Sequence, residues 1–194
     1  MDENLTFNTH INTIIKNVNH KMYLLKRVKG YLTPKTCILI YKSFILPLME
    51  YGCTLYMNAN NSHLNRLQIL QNKCLKICLD KDKKYNTELL HKEANINLLS
   101  ERRDVQLMKE MFLRTKLDKY LDKNVSGRVT RSHTVPKLYV PSFKTNQARK
   151  SHIYKGSVAW NNLEYTEKKI MCKDMFSKLM KKKLKEKRKL YNES

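Results

Sequence analysis

The sequence predicts a mainly α-helical protein: a helical bundle with a small irregular or β arm and a basic C-terminal helix. Three observations predict it. Apolar residues recur at steps of three and four along several long stretches. Only 4 Gly and 4 Pro interrupt 194 residues, so long helices meet few breakers. The segment from Asp174 to about Leu190 carries Phe176, Leu179, Met180 and Leu184 on one stripe, with eight cations against one acid, Glu186, between Lys178 and Lys189.

Helix one is expected from about Asn8 to Lys29, with Ile11, Ile14, Ile15, Val18, Met22 and Leu25 on one face and Gly30 as its stop. Thr33-Pro34 reads as N-cap and first-turn proline of helix two. That helix is apolar nearly all round through Ile38, Leu39, Ile40, Tyr41, Phe44, Ile45 and Leu46, which predicts a place in the middle of a bundle. Pro47 should kink or end it. The polar break from Asn58 to Ser62 offers an N-cap to helix three, which runs to about Leu79 and buries Leu64, Leu67, Leu70, Cys74, Ile77 and Cys78. Asp80 to Lys84 forms a charged loop. Further helices are expected near Glu88–Glu93 and from Ser100 to about Tyr120, the latter turning Val105, Met108, Met111 and Phe112 inward.

Composition shifts after Asp122. Two of the four prolines and many Thr and Ser fall between Asn124 and Tyr154, and Leu138-Tyr139-Val140 and His152-Ile153-Tyr154 are β-prone. A small hairpin or irregular arm follows from that. Gly156 to Leu163 reads as a turn into a short helix carrying Trp160, more a core anchor than a base-stacking platform. The last helix runs from Asp174 to about Leu190 with Phe176, Leu179, Met180 and Leu184 on one stripe. The expected division is 1–122, a helical domain; 123–165, an irregular arm with short strands; and 166–194, a basic helix.

Lys plus Arg number 39 and Asp plus Glu 17, a net charge of +22. Such a balance repels itself in a compact state and is best offset by a polyanion that sheds its own condensed ions on binding. Nucleic acid is the first candidate and an anionic membrane surface the second. The five cysteines, an odd number, follow no disulfide framework, and the acidic, polar start Met1-Asp2-Glu3-Asn4 is unlike a signal peptide. The longest apolar run free of proline, Cys37 to Tyr41, falls far short of the ~18 residues a membrane span needs. A reducing, intracellular setting, nuclear or cytoplasmic, with free thiols is expected.

Motifs carry the reading further. Asp2-Glu3-Asn4-Leu5-Thr6-Phe7 with His10-Ile11 stands first, then Tyr41-Lys42-Ser43, Ile45-Leu46-Pro47 and Tyr51-Gly52, then Leu64-Asn65-Arg66-Leu67-Gln68 with Gln71-Asn72-Lys73. Thr130-Arg131-Ser132, Leu138-Tyr139-Val140-Pro141 and Phe143-Lys144-Thr145-Asn146 follow, then Tyr154 to Leu163, and Phe176-Ser177-Lys178-Leu179 closes the series. In this order the motifs resemble the region after the catalytic palm, thumb and post-thumb, in reverse transcriptases of non-LTR (LINE-like, jockey-like) retrotransposons. The resemblance runs from Asp2 to about Leu184. Phe7 stands where the family has Trp, and Glu164 where it usually has Pro.

The resemblance implies an RNA-directed DNA polymerase whose palm holds two Mg²⁺ ions on an aspartate triad. This sequence has no adjacent Asp pair. Its nearest pair, Asp80 and Asp82, lies among Lys81, Lys83 and Lys84, whose ammoniums oppose a dication. No catalytic residue, cofactor or metal is expected here; Mg²⁺ belongs to the full-length enzyme. Cys74 and Cys78, with His63 or His91, have zinc-ligand chemistry but not zinc-finger spacing, and buried core thiols are the simpler reading. No hydrolase elbow, Gly-rich phosphate loop or carboxylate pair stands out.

The resemblance therefore implies a thumb-like, non-enzymatic fragment, expected to bind RNA and DNA through the duplex backbone. At ~100° per residue, Arg66, Lys73 and Lys76 fall within about 80° on the polar side of helix three, with Ile69 among them. Such cations can follow a phosphate track or form an ordinary solvated face. In the tail, Lys181, Lys182, Lys183, Lys185 and Arg188 extend the candidate surface. The tail's apolar stripe is narrow for membrane binding. The alternative function is a helical adaptor with a basic tail contacting protein or anionic membrane.

Overall fold

The computed structural model describes residues 7–116, 137–149, 151–170 and 172–192. The N-terminal motif before Phe7, the segment 117–120 expected to end a helix, and Thr130-Arg131-Ser132 lie outside the described residues. The architecture is mainly α-helical, as the periodicity predicts. The chain divides into two compact units, Met1–Arg103 and Asp104–Ser194.

The first unit is built on α1 (Asn8–Val28), whose Ile11, Ile14, Val18 and Leu25 are buried at three- and four-residue steps. Ile15 and Met22 pack against the same core from its margin. A short 3₁₀ turn (Lys29–Tyr31) leads to Thr33, whose hydroxyl accepts from the Thr36 amide at 3.3 Å and starts α2 (Pro34–Ile40). The helical path then widens into one π turn (Tyr41–Ile45) before α3 (Leu46–Glu50). Pro47 explains the widening. It has no N–H for the Ser43 carbonyl and its ring would strike that carbonyl. The Leu46 amide instead reaches back five residues to the Tyr41 carbonyl. Pro47 therefore neither ends the helix nor breaks it; the π turn absorbs the misfit.

One expectation fails here. Helix two does not sit in the middle of a bundle. Cys37, Tyr41 and Ile45 are buried, but Leu39 is 62% and Phe44 65% exposed. Residues 37, 41 and 45, one turn apart, form a buried stripe, and Leu39 and Phe44 on the opposite face are exposed among the described residues.

Gly52, at φ 64, makes the turn into α4 (Cys53–Tyr56), and Asn60 caps α5 (Asn61–Cys78) by accepting from the Ser62 amide at 3.0 Å. α5 buries Leu67, Leu70, Cys74, Leu75 and Cys78, while Leu64 and Ile77 are half-buried. Each fully buried leucine contributes about 1.5–3 kcal/mol. Asn86 caps α6 (Thr87–Ala94), which ends on Asn95 in the left-handed region at φ 48. The Arg102 guanidinium, on α7 (Leu99–Arg114), pairs with Glu50.

In the second unit, Val105, Met108, Met111 and Phe112 of α7 face inward as expected. A one-turn helix, α8 (Asn146–Arg149), precedes α9 (His152–Asn161), followed by α10 (Tyr165–Lys168) and α11 (Lys173–Asn192). The core is aromatic. Trp160 is 1% exposed, with Phe112 at 6.3 Å in edge contact and Phe176 at 5.5 Å.

Two details depart from the sequence reading. His152-Ile153-Tyr154 is not extended but opens α9, because the Ser151 hydroxyl accepts from the Tyr154 amide at 3.2 Å and overrides β propensity. Gly156 is not a turn residue but sits inside α9, where a Cβ would come within 2.6 Å of the Met111 sulfur. The glycine is there for close helix approach. Leu138 takes the place of a strand: its amide and carbonyl bond to the Asn161 side-chain amide at 3.0 and 2.9 Å. The asparagine side chain thus satisfies both backbone groups of Leu138.

Candidate nucleic-acid interface

Two contacts set the direction of α5. Arg66 Nη1 donates to Asn12 Oδ1 of α1 at 3.1 Å, and Lys29, just past α1, pairs with Asp80, just past α5. The two helices therefore run parallel, and the wet side of α5 borders α1 near its start.

Arg66 and Lys73 are exposed on that side, together with Ile69 at 53%. Lys76 is half-buried and its ammonium donates to the Lys83 carbonyl at 2.5 Å, so it closes the loop after α5 rather than extending freely from the helix. Arg66 and Lys73 are two turns apart, about 10 Å along the axis. That interval suits two or so phosphates of one strand, with each guanidinium or ammonium able to displace a condensed counterion.

A polar network behind this face holds α5 in place. Gln71 is fully buried and donates to the Asn97 carbonyl at 3.2 Å, and the Gln68 oxygen accepts from the Leu99 amide at 3.0 Å. Asn72 Oδ1 accepts from Gln68 Nε2 at 2.9 Å and stands 2.8 Å from His91 Nε2. His91 Nδ1 lies 2.9 Å from the Ile96 carbonyl. Both ring nitrogens of His91 thus face oxygens. The network ties α5, α6 and the start of α7 together with few buried groups unsatisfied. Gln68, Gln71 and Asn72 stand within a sequence motif but acquire no role from it. Their signal is nonetheless present: Gln68, Gln71 and Asn72 stand at i, i+3 and i+4, one side of a helix.

The tail is described in part. Lys181, Lys182 and Lys183 are exposed on α11, and Lys183 pairs with Glu167, itself buried. Lys185 and Arg188 belong to α11, but their side chains lie outside the described residues. Glu167 also accepts from the Glu164 amide at 3.0 Å, so Glu164, in the family's proline position, opens α10 by a reciprocal cap.

The thiols are structural. Burial pushes the Cys74 and Cys78 thiols up to about 12, with a smaller rise from the neighbouring thiol, Cys78 for the first and Cys37 for the second. His91, one candidate zinc partner, is held by Asn72 and Ile96. Among the described residues no group of three or more His, Cys, Asp and Glu could hold a metal ion. Asp80, half of the nearest aspartate pair, is engaged by Lys29. No described helix is long and apolar enough to cross a membrane.

No protein-family model matches the chain. No solved structure matches it either. Three curated proteins of Drosophila melanogaster do. The probable RNA-directed DNA polymerase from transposon X-element is 27% identical over 99 residues, 50% of this chain and 11% of that protein. The probable RNA-directed DNA polymerase from transposon BS is 27% identical over 105 residues, 52% of this chain and 12% of that protein. The RNA-directed DNA polymerase from mobile element jockey is 35% identical over 82 residues, 39% of this chain and 9% of that protein. The chain thus spans about a tenth of the length of the curated relatives it matches. Over about half its own length this chain is related to the RNA-directed DNA polymerases of non-LTR retrotransposons, the resemblance its motifs carry.

Proposed function

We propose that this chain is a nucleic-acid-binding, C-terminal piece of a retrotransposon RNA-directed DNA polymerase, without the catalytic palm and without polymerase activity of its own. It grips RNA and DNA duplexes by the phosphate backbone, with little sequence preference. The observation that carries this reading is the exposed pair Arg66 and Lys73 on one side of α5, in a chain of net charge +22 related to polymerases. Lys181, Lys182, Lys185 and Arg188 of α11 add to the grip; Lys76 and Lys183 support it from intramolecular bonds.

Charge reversal tests it. The double variant Arg66→Glu, Lys73→Glu should weaken binding of a labelled duplex and flatten its salt dependence by about two counterions, while far-ultraviolet circular dichroism is unchanged. Equal affinity in the variant and the parent refutes the reading.

A second reading, a helical adaptor contacting protein or anionic membrane, is favoured by the exposure of Leu39 and Phe44. Co-sedimentation with anionic vesicles, set against duplex binding at the same salt, separates the two.

A further inference from the structure

We propose that the open cavity between the start of α1 and the Tyr51–Tyr56 segment takes one unstacked nucleobase of a single-stranded nucleic acid. This rests on the nucleic-acid-binding reading above and adds to it a contact that a backbone grip does not require.

The cavity measures about 630 Å³ and is lined in part by Thr9, His10, Thr13, Tyr51, Gly52 and Tyr56. That volume falls in the ordinary range for small-molecule sites and holds a base with room for its sugar. Its wall is made of rings. The His10 ring lies 6.5 Å from that of Tyr51 and 5.6 Å from that of Tyr56. Tyr56 is buried, and its hydroxyl donates to the Met49 carbonyl, which fixes the floor. Tyr51 is 76% exposed. Gly52, in the left-handed region at φ 64, makes the turn that sends one tyrosine out and the other in. The fold thus presents a large aromatic face to water at the mouth of a cavity, an arrangement that core packing does not explain.

The chemistry of the wall selects the occupant. A flat ring beside Tyr51 gains face contact on a side now wet, and every base has such a face. Phe7 and Leu55 complete a mostly apolar wall, which suits the faces of a ring, while Thr9, His10 and Thr13 offer polar groups to its edge. Thr13 Oγ1 donates to the Thr9 carbonyl at 3.0 Å and keeps its lone pairs for an incoming N–H, and Thr9 and His10 line the same cavity. A net charge of +22 favours a ligand that carries phosphates with its ring. A duplex cannot fill the site, because its bases are stacked and paired; a single strand can.

The test compares two labelled single strands of equal length and charge, oligo(dT) and the same backbone built from abasic sugars, on the full chain at low salt by fluorescence anisotropy. A short duplex serves as control. The base-bearing strand should bind about tenfold more tightly than the abasic one. Tyr51→Ala should erase that preference and Tyr51→Phe should keep it, both with duplex affinity unchanged, since Tyr51 is mostly in water and its loss leaves the core intact. Equal binding of the two strands by the parent protein, or a preference that survives Tyr51→Ala, overturns the proposal. Failure of the duplex to bind, with the base preference present, refutes the backbone grip alone.

Discussion

Single residues in this protein do their structural work through polar side chains as much as through apolar ones. Asn161 bonds both backbone groups of the buried Leu138. Asn161→Ala leaves that amide and carbonyl unsatisfied, so a loss of about 2 kcal/mol in unfolding free energy is expected from urea titration. His91→Ala similarly strips Asn72 and the Ile96 carbonyl of a shared partner. The thiols make a separate prediction. Cys37, Cys53, Cys74 and Cys78 are buried and Cys172 is exposed. Burial pushes the Cys53 thiol up to about 11, with nearby Glu50 adding to the rise, and Cys74 and Cys78 to about 12. At pH 8 the native protein should therefore react with iodoacetamide at one thiol, and all five should react in guanidinium. Rapid labelling of Cys74 or Cys78 in the native state would contradict the burial. The polar partnerships are only partly legible from the sequence: Gln68, Gln71 and Asn72 share one side of α5, but their partners lie up to 31 residues away, as for Gln68 and the Leu99 amide.

At the scale of elements, the sequence was most legible where one physical signal acted alone. α1 and α5 follow from apolar spacing, and the starts of α2 and α5 from the cap residues Thr33 and Asn60. Asn86→Ala, which removes an acceptor serving the Glu88 and Leu89 amides, should cost about 1 kcal/mol in thermal or urea unfolding. Legibility fell where two signals competed. Helix two is apolar enough to be read as central, yet Cys37, Tyr41, Ile45 and Leu46 are covered, Ile38 and Ile40 half-covered, and Leu39 and Phe44 exposed. Gly156 looks like punctuation but serves helix packing. Gly156→Ala gains about 1 kcal/mol of helix propensity and loses about 1–3 to overpacking against the buried Met111. A net destabilisation of about 1 kcal/mol is expected. In a Met111→Ala background the same change should stabilise. An unchanged sign across the two backgrounds would show that the Met111 contact does not limit the site.

For the whole molecule the governing quantity is charge. Thirty-nine cations against 17 acids exceed anything the observed ion pairs require. The described pairs, such as Lys81 with Glu93 at 3.0 Å, consume acids as well as bases, and leave the excess outward. Each such exposed pair contributes little to stability. The candidate interface was half legible: the helical wheel found Arg66 and Lys73 on the wet side of α5, but nothing in the spacing marked Lys76 and Lys183 as engaged by Lys83 and Glu167. The excess of charge should make the free protein more stable in moderate salt, which screens its self-repulsion, and the same salt should loosen its hold on polyanions. The most direct test of the central claim is therefore the affinity for a short RNA–DNA duplex between 50 and 200 mM salt. The account predicts a fall on the order of a hundredfold, as for about four phosphate contacts, with a linear log–log dependence. An affinity indifferent to salt, or no measurable binding at 50 mM, would contradict it.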